Sequence, residues 1–118
     1  MGSDISQKIR DRKSRLRTEL DRIIPILAEQ YQPEKIFLFE SLVHGEVREW
    51  SDLDLVIIKQ TDARFLDRVA EVLDLIVQTV GMDILVYTPE EFKELTRTRP
   101  FVREEVRNKS KVIYERNS

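Results

Sequence analysis

Three short apolar runs, Ile36-Phe37-Leu38-Phe39, Leu53 to Ile58 and Met82 to Tyr87, interrupt a chain otherwise patterned for helices. Each is too short for an ordinary helix and is bounded by turn-forming residues, so each reads as a strand. Nearly continuous apolar strands need cover on at least one sheet face. From Asp4 to Tyr31 the residues Ile5, Ile9, Leu16, Leu20, Ile23, Leu27 and Tyr31 recur at helical spacing, and Pro25 should kink that helix or end its regular part. Ala63 to Val80 reads as a second helix, with Phe65, Leu66, Val69, Leu73, Ile76 and Val80 on its inner stripe and Gly81 as its left-handed stop. Thr88-Pro89-Glu90-Glu91 carries a capping box with proline at the first helical position, predicting a helix to about Thr96. Phe101 to Asn108 predicts a last helix and Lys111 to Glu115 an edge strand, while Ser41 to Arg48 reads as one or two helical turns. The expected fold class is therefore α/β (α+β): one domain over residues 1–118, its sheet flanked by helices.

The chain has no cysteine, which excludes disulfides and cysteine-ligated zinc and fits a reducing, cytoplasmic setting. It has no apolar run long enough to cross a membrane, so no membrane association is expected. Net charge is only -2, but the distribution is uneven. Between Glu40 and Leu95 there are 13 acids and five bases; from Arg97 onward there are seven bases and three acids. An acidic middle suits metal, and a basic tail suits either an anionic ligand or an ordinary solvated surface.

The chemistry concentrates around Ser51-Asp52-Leu53-Asp54. Side chains alternate along a strand, so Asp52 and Asp54 share a face, about 7 Å apart. Carboxylates opening an apolar strand are costly unless they meet water, cations or donors. A pair spaced this way can hold magnesium, which takes oxygen ligands and keeps waters or phosphates in its other positions. Asp83, one residue into the next apolar run, reaches the same place if the two strands are neighbours. Three carboxylates around metal suit phosphoryl or nucleotidyl transfer. The plainer alternative makes Asp52 a turn residue and Asp54 a strand-end charge. Ser41 has no histidine arranged for a catalytic triad, so hydrolase chemistry is rejected.

The stretch Glu40-Ser41-Leu42-Val43-His44-Gly45, a short loop, then Ser51-Asp52-Leu53-Asp54, resembles the signature of the minimal nucleotidyltransferases of the DNA polymerase beta superfamily. Gly81-Met82-Asp83-Ile84-Leu85-Val86 continues the likeness, and the order of elements extends it over most of the chain. The resemblance implies a mixed-sheet nucleotidyltransferase core, with Asp52, Asp54 and Asp83 as catalytic ligands of Mg2+ or Mn2+. It implies ATP as substrate, with Ser41, Gly45, Ser51 and His44 around the triphosphate. Small stand-alone members are often antitoxins paired with a HEPN-domain protein, and some transfer AMP onto that partner.

Two positions depart from the pattern. Glu40 replaces the family's first glycine, adding bulk and negative charge where the backbone approaches phosphate. It either weakens nucleotide binding and transfer or supplies a further metal oxygen. Val43 is larger than the family's usual residue. His44 is either a phosphate contact or an exposed loop residue, Trp50 either stacks on a base or packs, and Lys59 and Arg48 are candidate phosphate neutralisers. Two functions follow: transfer of AMP to a HEPN-type protein within a toxin–antitoxin pair, or an inactive module of the same fold that neutralises its partner by binding. Stable nucleic-acid binding is not expected, and self-association is left open.

Overall fold

A computed structural model of the protein describes residues 3–39, 53–78 and 80–116. Helix α1 spans Ser3–Ile26 and passes into a π-helical turn, Leu27–Tyr31. Pro25 lies just before that change of pitch. Its missing N–H removes one helical hydrogen bond, a known cause of local rewinding. The turn closes with the Gln32 N–H donating to the Leu27 carbonyl at 2.8 Å, and Gln32 is left-handed at φ 55.

Four strands follow in the chain: β1 (Lys35–Phe39), β2 (Leu53–Ile58), β3 (Met82–Tyr87) and β4 (Ser110–Glu115). They form one mixed sheet in the order β3-β2-β1-β4. β1 is antiparallel to both β2 and β4, and β2 is parallel to β3. A parallel neighbour needs a crossover, and helix α2 (Phe65–Ile76) provides it. Helices α3 (Pro89–Thr98) and α4 (Pro100–Lys109) lead into β4, which takes the expected edge position.

Alternation along β2 sorts the sheet faces. Leu55 and Ile57 join Ile36, Ile84 and Val86 beneath Ile23, Leu27, Tyr31, Val72 and Ile76, forming the main core against α1, the π-helical turn and α2. The opposite face carries Phe37, Val56 and Ile58, packed by Phe39, Tyr87, Phe92 and Val106. The Phe37 and Phe92 rings stack at 5.4 Å between centroids, fixing α3 to this second face.

Three expectations for α2 need correction. It is shorter than Ala63 to Val80, and although Val69, Leu73 and Ile76 pack in the core as expected, Arg68 and Val72 are buried as well and Leu66 is 77% exposed. The left-handed stop is Val77, at φ 51, rather than Gly81. Val77 donates to the Leu73 carbonyl, and its own carbonyl accepts from Arg22 Nη2 at 3.1 Å. This early stop brings Gly81 beside β2, where its carbonyl accepts from the Leu53 N–H. Arg68 is buried because its guanidinium is satisfied: it donates to the Ala63 and Val86 carbonyls and to Glu91. Among the described residues, no helix is long and apolar enough to cross a membrane.

Candidate functional site

The register of β2 and β3 decides where the carboxylates meet. Asp54 pairs directly with Asp83 across the parallel ladder. Paired strands lie about 4.8 Å apart, and register partners project to the same sheet face. On the other side of β2, Asp54 pairs with Phe39, and Phe39 in turn pairs with Ser110. One row thus crosses the sheet on its second face: Asp83, Asp54, Phe39, Ser110. Asp83 is exposed and Asp54 half-buried, so the row is open to solvent at its acidic end.

Position along the strands matters as much as pairing. Phe39 is the last residue of β1, and Leu53 and Met82 are the first residues of β2 and β3. The segment between β1 and β2 therefore departs and returns at the same sheet end as Asp54 and Asp83. Asp52 stands two residues before Asp54 in the chain. Asp52 itself, together with Glu40, Ser41, Val43, His44, Gly45, Arg48, Trp50 and Ser51, and the helical turn expected over Ser41 to Arg48, lies outside the described residues. Among the described residues no group of three metal-ligating side chains gathers. The described part of the candidate site is the Asp54–Asp83 pair.

Lys59 does not belong to this site. It follows β2 at the far end of the strand, where its ammonium donates to the Tyr31 carbonyl and lies 4.5 Å from the centre of the Tyr31 ring. Phe39 and Ser110 were not singled out from sequence, yet they complete the row beside Asp54. Only the pairing of β1 with both neighbours reveals them. Ser110 Oγ donates to the Val106 carbonyl, tying the start of β4 to α4.

The family profile described as "Polymerase beta, Nucleotidyltransferase" matches residues 21–118. The chain belongs to this polymerase beta nucleotidyltransferase family. A solved structure supports the fold of this nucleotidyltransferase-family domain: a Sulfolobus solfataricus protein, provisionally named a nucleotidyltransferase, superposes with a TM-score of 0.62 at 16% identity. The alignment covers 90% of this chain and 86% of that one. A search of curated protein sequences finds no match. The mixed sheet and flanking helices expected from sequence are the observed fold, and nucleotidyltransferase membership stands on the family match.

Proposed function

We propose that this domain transfers a nucleoside monophosphate, AMP from ATP, to a hydroxyl of a protein acceptor, with Mg2+ or Mn2+ held by Asp52, Asp54 and Asp83. The observation carrying this reading is the register pairing of Asp54 with Asp83 at the sheet end where the Ser51-Asp52 segment rejoins the strand. Carboxylates paired on neighbouring strands about 4.8 Å apart are close enough to share one cation. They are also hard oxygen donors of the kind magnesium takes, so the residues present fit the ion.

The reaction forms a bond from the acceptor oxygen to the α-phosphorus and breaks the bond to the leaving pyrophosphate. A bound divalent ion supplies charge neutralisation at the attacking and leaving oxygens. The part of the chain is positional. Rigid neighbouring strands hold Asp54 and Asp83 side by side, and the exposure of Asp83 sets the pair at the surface, where an acceptor can approach. Ser41, Gly45, Ser51 and His44 are proposed to contact the triphosphate. The resemblance to stand-alone members supports a HEPN-type helical protein as acceptor and partner, in an antitoxin role. Glu40, in the place of the family's first glycine, favours a second reading: a weakened transferase that neutralises its partner by complex formation alone.

Calorimetric titration with ATP, with and without magnesium, tests the first reading. Magnesium-dependent binding that Asp54→Asn abolishes is expected. Equal heats with and without metal, unchanged in Asp54→Asn, would remove its basis.

A further inference from the structure

Among the described residues, the first half of α1 contributes nothing to the packed core before Leu16. Leu16 is buried where the helix meets the body, and Ile23 and Leu27 continue into the core. Before Leu16, every residue whose side chain is described is exposed: Gln7, Lys8, Arg10, Asp11, Lys13, Ser14 and Arg15. The thirteen residues from Ser3 to Arg15 make an arm roughly 19 Å long. The molecule is correspondingly elongated, at 52 × 32 × 27 Å. Its radius of gyration is 15.2 Å, against about 13.5 Å for a compact chain of this length. The family match begins only at residue 21, so the arm lies before it.

The arm is strongly basic in an otherwise slightly acidic chain. Lys8, Arg10, Lys13 and Arg15 on the arm, and Arg17 just beyond it, are all exposed, and Arg12 adds a sixth base to the same stretch of sequence. Asp11 is the sole acid between Gln7 and Thr18, and it accepts a hydrogen bond from Gln7 at 3.0 Å. At helical pitch those five exposed bases fall into two rows. Lys8 and Arg15 form one, and Arg10, Lys13 and Arg17 form the other, on roughly opposite flanks. A helix embedded in a membrane surface needs a large apolar face, and Ile5 and Ile9 are the arm's only large apolar residues before Leu16. A helix with cations on both flanks suits a groove walled by anions on both sides.

We propose that the α1 arm binds the phosphate backbone of duplex DNA, lying in the major groove with one basic row toward each strand. That groove is about 12 Å wide and admits a helix about 10–12 Å across. The deep, narrow major groove of A-form RNA does not. Stable nucleic-acid binding was not expected from sequence, where a net charge of -2 speaks neither for nor against it and the chain has no room for a template-binding domain.

The test is a fluorescence-anisotropy titration of the full chain against a labelled random-sequence DNA duplex at several salt concentrations. Binding should weaken with salt, with a log–log slope of about -3 to -5 for the phosphates that the bases of this stretch can neutralise. Lys8→Gln/Arg15→Gln and Arg10→Gln/Lys13→Gln/Arg17→Gln should each lower affinity by about tenfold or more at low salt. Both sets change exposed residues, and unchanged circular dichroism checks the helix. Single-stranded DNA, duplex RNA, polyglutamate and anionic vesicles are run as competitors. The proposal is overturned if the duplex does not bind at about 50 mM salt, if both variants bind as wild type does, or if any competitor binds as tightly.

Discussion

Asp54 on β2 and Asp83 on β3 are direct partners in a parallel ladder, so two carboxylates share one sheet face on neighbouring strands. If they hold metal and nucleotide together, ligand binding should stabilise the fold. Saturating MgATP at a hundred times its dissociation constant would add about 2.7 kcal/mol to wild type. Asp54→Asn and Asp83→Asn should each lose most of that gain. The check is the shift in thermal midpoint on adding MgATP, and equal shifts in all three proteins would sink the site.

The Arg68–Glu91 pair joins α2 to α3 across β3. Arg68 Nη1 donates to Glu91 Oε1 at 2.7 Å and to the Val86 carbonyl at 3.1 Å, and Nε donates to the Ala63 carbonyl at 2.9 Å. Arg68→Ala takes the donor from the buried Val86 carbonyl and leaves the half-exposed Glu91 to solvent, and should cost about 1–3 kcal/mol in urea unfolding. Arg68→Lys should recover little, since an ammonium cannot reproduce the planar fork. A loss below about 0.5 kcal/mol in Arg68→Ala would show that the pair does not join the helices.

The same pair predicts an acid limb. Hydrogen bonds from Arg68 and from the Thr88 backbone hold the Glu91 carboxyl below its ordinary value of 4.5. A depressed folded value means the unfolded chain takes up the proton first. The contribution of Glu91 is therefore complete above about pH 4.5 and is lost as pH falls through the depressed value. Stability measured across the acid range should fall less steeply in Glu91→Gln than in wild type. Parallel acid limbs would remove Glu91 as the titrating group.

How far the fold could be read in advance depended on which residues carried the information. β2 and β3 were legible because long apolar runs admit few alternatives. The capping box was legible because it is local: Thr88 Oγ1 accepts from the Glu91 N–H, and Glu91 accepts from the Thr88 N–H. The inner stripe of α2 was misread in part: Val69, Leu73 and Ile76 do pack in the core, but pattern reading places arginine outside and Leu66 inside. Arg68 is buried by partners distant in sequence, the Val86 carbonyl and Glu91, and no local pattern signals them. Val77 hid its left-handed turn for a related reason. A β-branched residue is a poor choice for positive φ, and tertiary contacts hold it there. At the candidate site Asp83 could be named from sequence, but its pairing with Asp54 is a property of strand order.

Tyr31 offers a prediction at the alkaline end. Its hydroxyl is buried and has no hydrogen-bond partner among the described residues. Burial, reinforced by the charge of Glu71, raises its pKa from 10.0 to about 12. Here the unfolded chain loses its proton first, so stability is full below pH 10 and falls as pH rises toward 12. Tyr31→Phe should remove this decline. It should also stabilise the neutral protein by about 1 kcal/mol, since a buried hydroxyl without a partner is itself a cost. Denaturant midpoints of both proteins between neutral and alkaline pH would decide it, and a less stable Tyr31→Phe would mean the hydroxyl has a partner.

The proposed HEPN-type partner gives a physical expectation as well. Co-expressed with the product of the neighbouring gene, this chain should elute with it in one peak at micromolar concentration. Asp54→Asn should leave that peak intact while abolishing AMP transfer, because the pair would act on nucleotide and the interface would lie elsewhere. Two separate peaks for wild type would count against the partnership. Disruption of the complex by Asp54→Asn would place the interface over the carboxylates instead.

Glu40 separates the transferase from the binding module. A glycine there would remove a side chain and a negative charge from the expected phosphate path. Two unit charges about 4 Å apart interact by about 4 kcal/mol at an effective dielectric near 20. Metal and solvent screen much of that, leaving roughly 1–3 kcal/mol, about ten- to a hundredfold in affinity. Glu40→Gly should therefore tighten ATP binding and raise AMP transfer to the partner. Glu40→Gln should recover only the electrostatic part, because its side chain keeps nearly the same volume. Binding constants for both variants, measured with magnesium present, separate the two contributions. Weaker metal or nucleotide binding in Glu40→Gly would make Glu40 a ligand, and no change in either variant would mean that the Glu40-Ser41 backbone does not approach the phosphates.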